Sequence, residues 1–196
     1  MHPMRPISVE VLTPRGWKDH RVSDAPFFIR RARVKDVPAI QGLVAPLVAE
    51  RILLGKDSAV FYGAVQEFRI AEDSDTGAVV GCGALHVMWD DLAEIRTLAV
   101  DARWRRRRVG HALVEQLERD AGELGVNKLF CLTFEVDFFA AHGYAPVGEG
   151  LVGPDVVVEL ARSGDEGVAE FLDLARVKPN TLGNTRMLKV LGPALD

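Results

Sequence analysis

Apolar positions along the chain follow a period that switches repeatedly between two residues and three to four, the pattern of strands alternating with helices. Residues 27–33 (FFIRRAR) alternate as a strand does. The spacing from Val37 onward is helical, with Pro38 suited to a first turn and Asp36 placed to cap the free amides. A short helix is predicted over residues 59–66, a strand over 67–72, a turn over 73–77 and a β-branched strand over 78–87, the two strands reading as a hairpin. Residues 93–100 (AEIRTLAV) form another strand, followed by an arginine-rich loop and a helix from Val109 to about Leu124 that Gly125 closes. Val109, Ala112, Leu113, Leu117, Ala121 and Leu124 make its apolar face. Beyond it the pattern predicts a strand over 128–134, a short helix over 137–142, a strand over 144–147, helical stretches near 155–162 and 168–174, and a last strand over 185–191. Alternation of this kind is that of an α/β or α+β sheet sandwich. Residues 1–25 carry Pro3, Pro6 and Pro14 and no sustained period, so the expected organisation is a mobile leader over 1–26 and one folded domain over 27–196.

Composition narrows the function classes. A chain of 196 residues, 48% hydrophobic, buries a full core. Its net charge of -4 leaves no overall attraction for nucleic acid or acidic membranes. No apolar run approaches the roughly 20 residues that span a bilayer, and the N-terminus has no apolar signal core, so a cytoplasmic location is expected. Cys82 and Cys131 sit inside apolar runs with no Cys or His at metal-ligand spacing, which predicts buried free thiols and no metal.

Local chemistry concentrates in residues 94–113, EIRTLAVDARWRRRRVGHAL. A helix that opens directly after a strand and a tight loop presents unpaired N–H groups and the positive end of its dipole, which suit phosphate. Arg105, Arg106, Arg107 and Arg108 add charge-assisted donors for a diphosphate, and Gly110 permits close backbone approach. A basic run in an acidic chain is by itself a solvated face; its place before an amphipathic helix is what favours a phosphate site. For nucleic acid it lacks stacking aromatics, Trp104 being the only one inside it.

At this point the chain resembles the GNAT acetyltransferases. Their acetyl-CoA signature, Arg/Gln-x-x-Gly-x-Gly/Ala opening a helix after a bulged strand, is matched at Arg105 and Gly110, with Arg108 standing at the first glycine. The stretch Phe138, Phe139, Ala140, Ala141, His142, Gly143, Tyr144 is similar to their later aromatic element. The strings ILLGKD (52–57), VGCGALHV (80–87), AEIRTLAV, KLFCLTFEVDFFAAHGY (128–144) and VKPNTLGNTRMLKVL (177–191) resemble more specifically the amino-acid N-acetyltransferases that make N-acetylglutamate, of the short stand-alone actinobacterial type without an amino-acid-kinase domain.

The resemblance implies a GNAT fold, a central mixed and mostly antiparallel sheet flanked by helices. It implies acetyl-CoA as co-substrate, L-glutamate as acceptor with room for L-glutamine, and the first step of arginine biosynthesis as cellular role. Strand positions Leu98, Ala99 and Val100, the four arginines, Val109, Gly110, His111, Ala112 and Phe139 would meet the co-substrate. Glu94 matches the proposed general base, and Thr133 a hydroxyl assigned to protonating the thiolate, since Phe139 stands where many relatives place a tyrosine acid. A carboxylate near its ordinary pKa of about 4.3 is a poor base for an ammonium, so a water relay or a raised pKa is expected at Glu94. Lys56 matches a residue that contacts the glutamate side chain, and Arg96, two residues after Glu94 on the same strand face, completes an expected carboxylate clamp lined also by Thr97. In the tail, Thr185 matches a hydroxyl that contacts the α-carboxylate; the arginine two positions before it is Gly183 here, leaving Lys178, Asn184 and Arg186 as candidates.

Three histidines invite roles. His111 lies in the first turn of the loop helix, His142 precedes a turn glycine and reads as surface, and His86 sits on the strand before Glu94. A different small amine, a protein N-terminus or a non-catalytic acyl-CoA-binding module on the same fold stays open, as does a homodimer.

Overall fold

The computed structural model describes residues 26–148, 152–172 and 183–192. The predicted leader, Pro26 apart, and Lys178 lie outside the described residues. The changes of period become the elements β1 (Phe27–Arg31), α1 (Val37–Ala49), α2 (Ser58–Gly63), β2 (Phe68–Asp73), β3 (Val79–Trp89), β4 (Leu92–Val100), α3 (Val109–Glu123), β5 (Lys128–Thr133), α4 (Val136–Ala140), β6 (Ala145–Pro146), α5 (Pro154–Leu160), α6 (Glu166–Phe171) and β7 (Thr185–Val190). The strands make one sheet in the order β1-β2-β3-β4-β5-β7-β6. Among the described residues only the β4–β5 pairing is parallel; the other pairings are antiparallel.

Period-two alternation divides the core between the two faces of this sheet. On one face Val114, Leu117 and Ala121 of α3 and Phe139 of α4 pack on Leu85, Ala93, Ile95 and Leu129. Gly81 and Gly83 of β3 let α3 lie close, since a Cβ on Gly81 would stand 2.8 Å from Val109. The opposite face carries two groups of helices. Val37, Ile40 and Val44 of α1 and Phe61 of α2 cover Ile70, Cys82 and Ala84, while Leu160 and Val168 of α5 and α6 cover Met88, Leu92 and Phe130. Glu94 and Arg96, continuing the alternation from Leu92, therefore face the gap between those groups.

Two local expectations are corrected. Asp36 does not cap α1: a 3-10 turn (Val34–Asp36) runs straight into the helix, and the carboxylate instead accepts the Arg33 N–H at 2.7 Å and two Arg30 bonds. Leu124, the C-cap just past the last residue of α3, is 64% exposed, while Val114 and Asp120 are buried. Gly125 ends α3 as expected, with a φ of 80°. Both cysteines are buried free thiols. Among the described residues no helix is long and apolar enough to cross a membrane, and no group of three or more His, Cys, Asp or Glu is placed to hold a metal ion.

Candidate active site

The site begins with a fault in the sheet. Cys82 pairs with Ala99 and Ala84 with Arg96, so Thr97 and Leu98 stand opposite the single Gly83: a β-bulge. Thr97 takes a φ of 57°, a left-handed backbone that a β-branched residue adopts only when its surroundings impose it. Ladder pairing of β4 with β5 spans Leu92↔Lys128 to Glu94↔Phe130 and stops, although the strands run on to Val100 and Thr133. The two strands part there, and the β5-facing edge of β4 is left open alongside Leu98, Ala99 and Val100.

Beside that opening lies a small cleft, open to solvent and lined by Leu53, Lys56, Glu94, Arg96, Thr97, Leu132, Gly167 and Asn184. Glu94 is 5% exposed, and its Oε2 has no hydrogen-bond partner. Burial pushes its carboxyl up to about 7 against the opposing pull of Arg96, Lys56 and His86, which meets the expectation of a raised pKa. Lys56 is moved below its ordinary value, first by burial and then by the neighbouring Arg96 charge.

Arg96 is not a free clamp. Its Nη1 donates to both oxygens of Asp165 at 3.0 Å and its Nη2 to Glu67 at 3.2 Å, while Glu94 stands 3.8 Å away. Glu67 also meets His86 Nδ1 at 3.0 Å. Burial opposes ionisation of Glu67, but His86 and Arg96 hold it below the ordinary carboxylate value. Asp165 is likewise held low, burial being outweighed by Arg96, the Val168 N–H and His86.

The remaining expected residues divide. Asn184 reaches the cleft, and Arg186 pairs across the ladder with the cleft-lining Leu132. Thr185 pairs with Thr133, whose hydroxyl oxygen accepts the Glu135 N–H at 2.9 Å; by alternation both lie on the other face. Phe139 is 5% exposed and packs edge-on against Tyr144 within the core. Phe138 is the ring that meets the loop helix: it lies 4.9 Å from His111, and a Cβ on Gly110 would come 3.4 Å from it. His142 is not a simple surface residue, for its Nε2 is 2.8 Å from His111 Nδ1. Val109 is buried beneath the loop and Ala112 half-buried.

In the loop, Arg105, Arg106, Arg107 and Arg108 are exposed, and the Arg107 guanidinium lies 5.0 Å over the Trp104 ring. Arg106 and Arg108 have φ of 62° and 63°, left-handed backbone of the kind that occurs in anion-cradling turns. Arg108 thus keeps the left-handed backbone a glycine would provide. Arg108→Gly is expected to leave stability unchanged or raise it by up to about 1 kcal/mol, whereas Arg108→Val lowers it, as urea unfolding would show.

Glu67, Asp165 and Gly167 carry no sequence signal for this site. Asp165 meets Arg96 across a separation of 69 residues, a contact that no periodicity encodes.

Comparison with known proteins places the fold in a family. Residues 49–146 match the Acetyltransferase (GNAT) family. The chain is 54% identical over 164 residues to the amino-acid acetyltransferase of Mycobacterium tuberculosis, covering 83% of this chain and 94% of that protein. The crystal structure of Rv2747 from M. tuberculosis, in complex with CoA and a second ligand, superposes with a TM-score of 0.81 at 53% identity, over 84% of this chain and 99% of that one. N-acetylglutamate synthase from Neisseria gonorrhoeae, complexed with coenzyme A and N-acetyl-glutamate, shares the fold at a TM-score of 0.68 and 23% identity, over 87% of this chain and 36% of that one.

Proposed function

This chain belongs to the GNAT acetyltransferase family, and from that premise we propose that it transfers the acetyl group of acetyl-CoA to the α-amino group of L-glutamate, and also of L-glutamine, as the first step of arginine biosynthesis. The observation that carries the reading is Glu94: a carboxylate with its affinity for a proton raised into the neutral range, on the wall of a cleft that also holds Lys56 and adjoins the open edge of β4.

The residues fit the co-substrate. The left-handed turns and arginines around Arg106 and Arg108, at the start of α3, suit its diphosphate, and the open edge of β4 suits an extended chain carrying amide groups. Amides at the bulge, near Leu98, polarise the thioester carbonyl. Glu94 accepts the proton that the ammonium of the amino acid gives up, directly or through one water, so that the neutral amine attacks. Reaction proceeds in a ternary complex without a covalent enzyme intermediate. Thr133, whose hydroxyl oxygen accepts the Glu135 N–H, remains the candidate for protonating the thiolate, relaying a proton that solvent supplies.

For the acceptor, Lys56 is the cation of the cleft that reads the side-chain carboxylate, because Arg96 is already matched by Asp165 and Glu67. Asn184, Arg186 and Lys178 are the candidates for the α-carboxylate, Thr185 being turned to the other face of the sheet. The test is release of CoA from acetyl-CoA with each amino acid in turn. Release that ignores glutamate and glutamine would overturn the reading. Lys56→Met should lower catalytic efficiency with glutamate about tenfold more than with glutamine, since a charge-assisted hydrogen bond contributes about 1.5–3 kcal/mol against 0.5–1.5 for a neutral one. Equal losses would pass the role to the tail.

A further inference from the structure

Residues 163–168, the end of the α5–α6 connection and the first turn of α6, lie directly over Glu94. A Cβ added to Gly167 would stand 2.9 Å from Glu94 Oε2, 3.0 Å from Asp165 Oδ1 and 3.2 Å from Arg96 Nη1, so a side chain at this position would have to push the ends of those three side chains aside. The turn is tied at both ends. Val168, 2% exposed, is packed with Leu92, Phe130 and Leu160, and its N–H donates to Asp165 Oδ1 at 3.0 Å. The Asp165 N–H donates to Ser163 Oγ at 3.1 Å. The Asp165 carboxylate then takes Arg96 through two 3.0 Å contacts.

We propose that this turn, through Gly167 and Asp165, is a positioning strap that keeps water off Glu94 and holds the Arg96 guanidinium away from it. The proposal rests on the reading of Glu94 as the base and assigns that base its tuning. Arg96 stands 3.8 Å from Glu94, beyond hydrogen-bond range, although an unrestrained arginine next to a buried, unpartnered carboxylate would close on it. Asp165, with Glu67 on the other side, is what occupies it. The charged and titratable groups that act on Glu94 are Arg96 of its own strand, Lys56 from the α1–α2 connection, His86 of β3 and Asp165 of the strap. Glu67 acts through Arg96 and His86, and the buried Cys131 of β5 lies within the field of Glu94. Of these, Asp165 is the one that favours the protonated form of Glu94.

Loosening the strap changes three things in the same direction. Water reaches the carboxylate, the negative charge of Asp165 is lost or withdrawn, and Arg96 is released toward Glu94. Each stabilises ionised Glu94 and weakens it as a base. Asp165→Asn is therefore expected to move the lower-pH break of kcat/KM from near 7 downward by about one unit, an opposite charge at close range lowering a carboxyl by roughly 1–3 units. Gly167→Ala should move it the same way, and Asp165→Glu, which keeps the pair, should restore most of the wild-type profile. Infrared titration of the Glu94 carboxyl, assigned by its loss in Glu94→Gln, reads the same shift without relying on turnover. An unmoved carboxyl titration in both Asp165→Asn and Gly167→Ala would overturn the strap. A kcat/KM break that persists in Glu94→Gln would overturn the base assignment while leaving the infrared result to decide the strap by itself.

Discussion

Glu94→Gln is expected to slow acetyl transfer by about 10²–10⁴-fold at neutral pH, the range over which loss of a positioned general base is felt. Glutamine preserves the shape of the side chain and its place on β4, so the affinity for acetyl-CoA, whose expected contacts lie on the β4 edge and the loop before α3, should not change. Raising the pH supplies neutral amine from solution and should recover part of the loss. Stability should respond in the opposite sense. The Glu94 carboxyl is raised from an ordinary 4.5 to about 7 in the folded chain, so between those values the folded state binds more protons than the unfolded one and stability declines as pH rises. Above about 7 the buried charge is borne in full. Removing it should make Glu94→Gln more stable than the parent at pH 8 and less different at pH 5, an exchange of stability for activity common at catalytic groups. Stopped assays of CoA release with thermal unfolding at the two pH values check both. Wild-type turnover in Glu94→Gln would leave Glu94 a structural residue.

The second large effect concerns the buried ion pair under the loop helix. Arg69 Nε donates to Asp120 Oδ2 at 2.6 Å and its Nη2 to Oδ1 at 2.7 Å, and the Gln116 side chain adds a third donor at 2.9 Å. Both charged residues are below one tenth exposed, joining β2 to α3. Taking away one partner leaves the other charge buried and unmatched, which costs about 3–5 kcal/mol. Against the roughly 5–15 kcal/mol that holds a domain of this kind folded, Asp120→Ala should bring the chain near its limit. The urea midpoint should fall sharply with the slope unchanged. Replacing both together, as Arg69→Met with Asp120→Leu, should restore most of the stability, since an apolar pair of similar volume meets no desolvation cost. If the single and double variants lost the same amount, the pair would be ordinary packing and not a matched charge.

Much of this architecture was legible along the chain because it rests on short-range regularities. Strand alternation in residues 93–100 and 128–134, the helical stripe after Val109 and the left-handed stop at Gly125 depend on neighbours within a turn or two, and the elements appear within a few residues of where the pattern put them. The stripe also misled in one place. Asp120 belongs to the buried side of α3, which its polarity hides, because its partner is 51 residues away on β2.

Residue chemistry and spacing determined on their own that Glu94 and Arg96 share a strand face, that four arginines precede a helix start, and that the two cysteines lie inside apolar strands. Tertiary structure decided what those groups do to one another. It gave Arg96 to Asp165 and Glu67 instead of leaving it for a substrate, set Phe138 against the first turn of the loop helix with Phe139 in the core, and placed Gly167 over the carboxylate whose proton it helps to hold. The physical reason is range. Periodicity and capping act over a few residues, whereas burial and Coulomb interaction depend on distance through space, and the turn at 163–168 reaches Glu94 only once the sheet has formed.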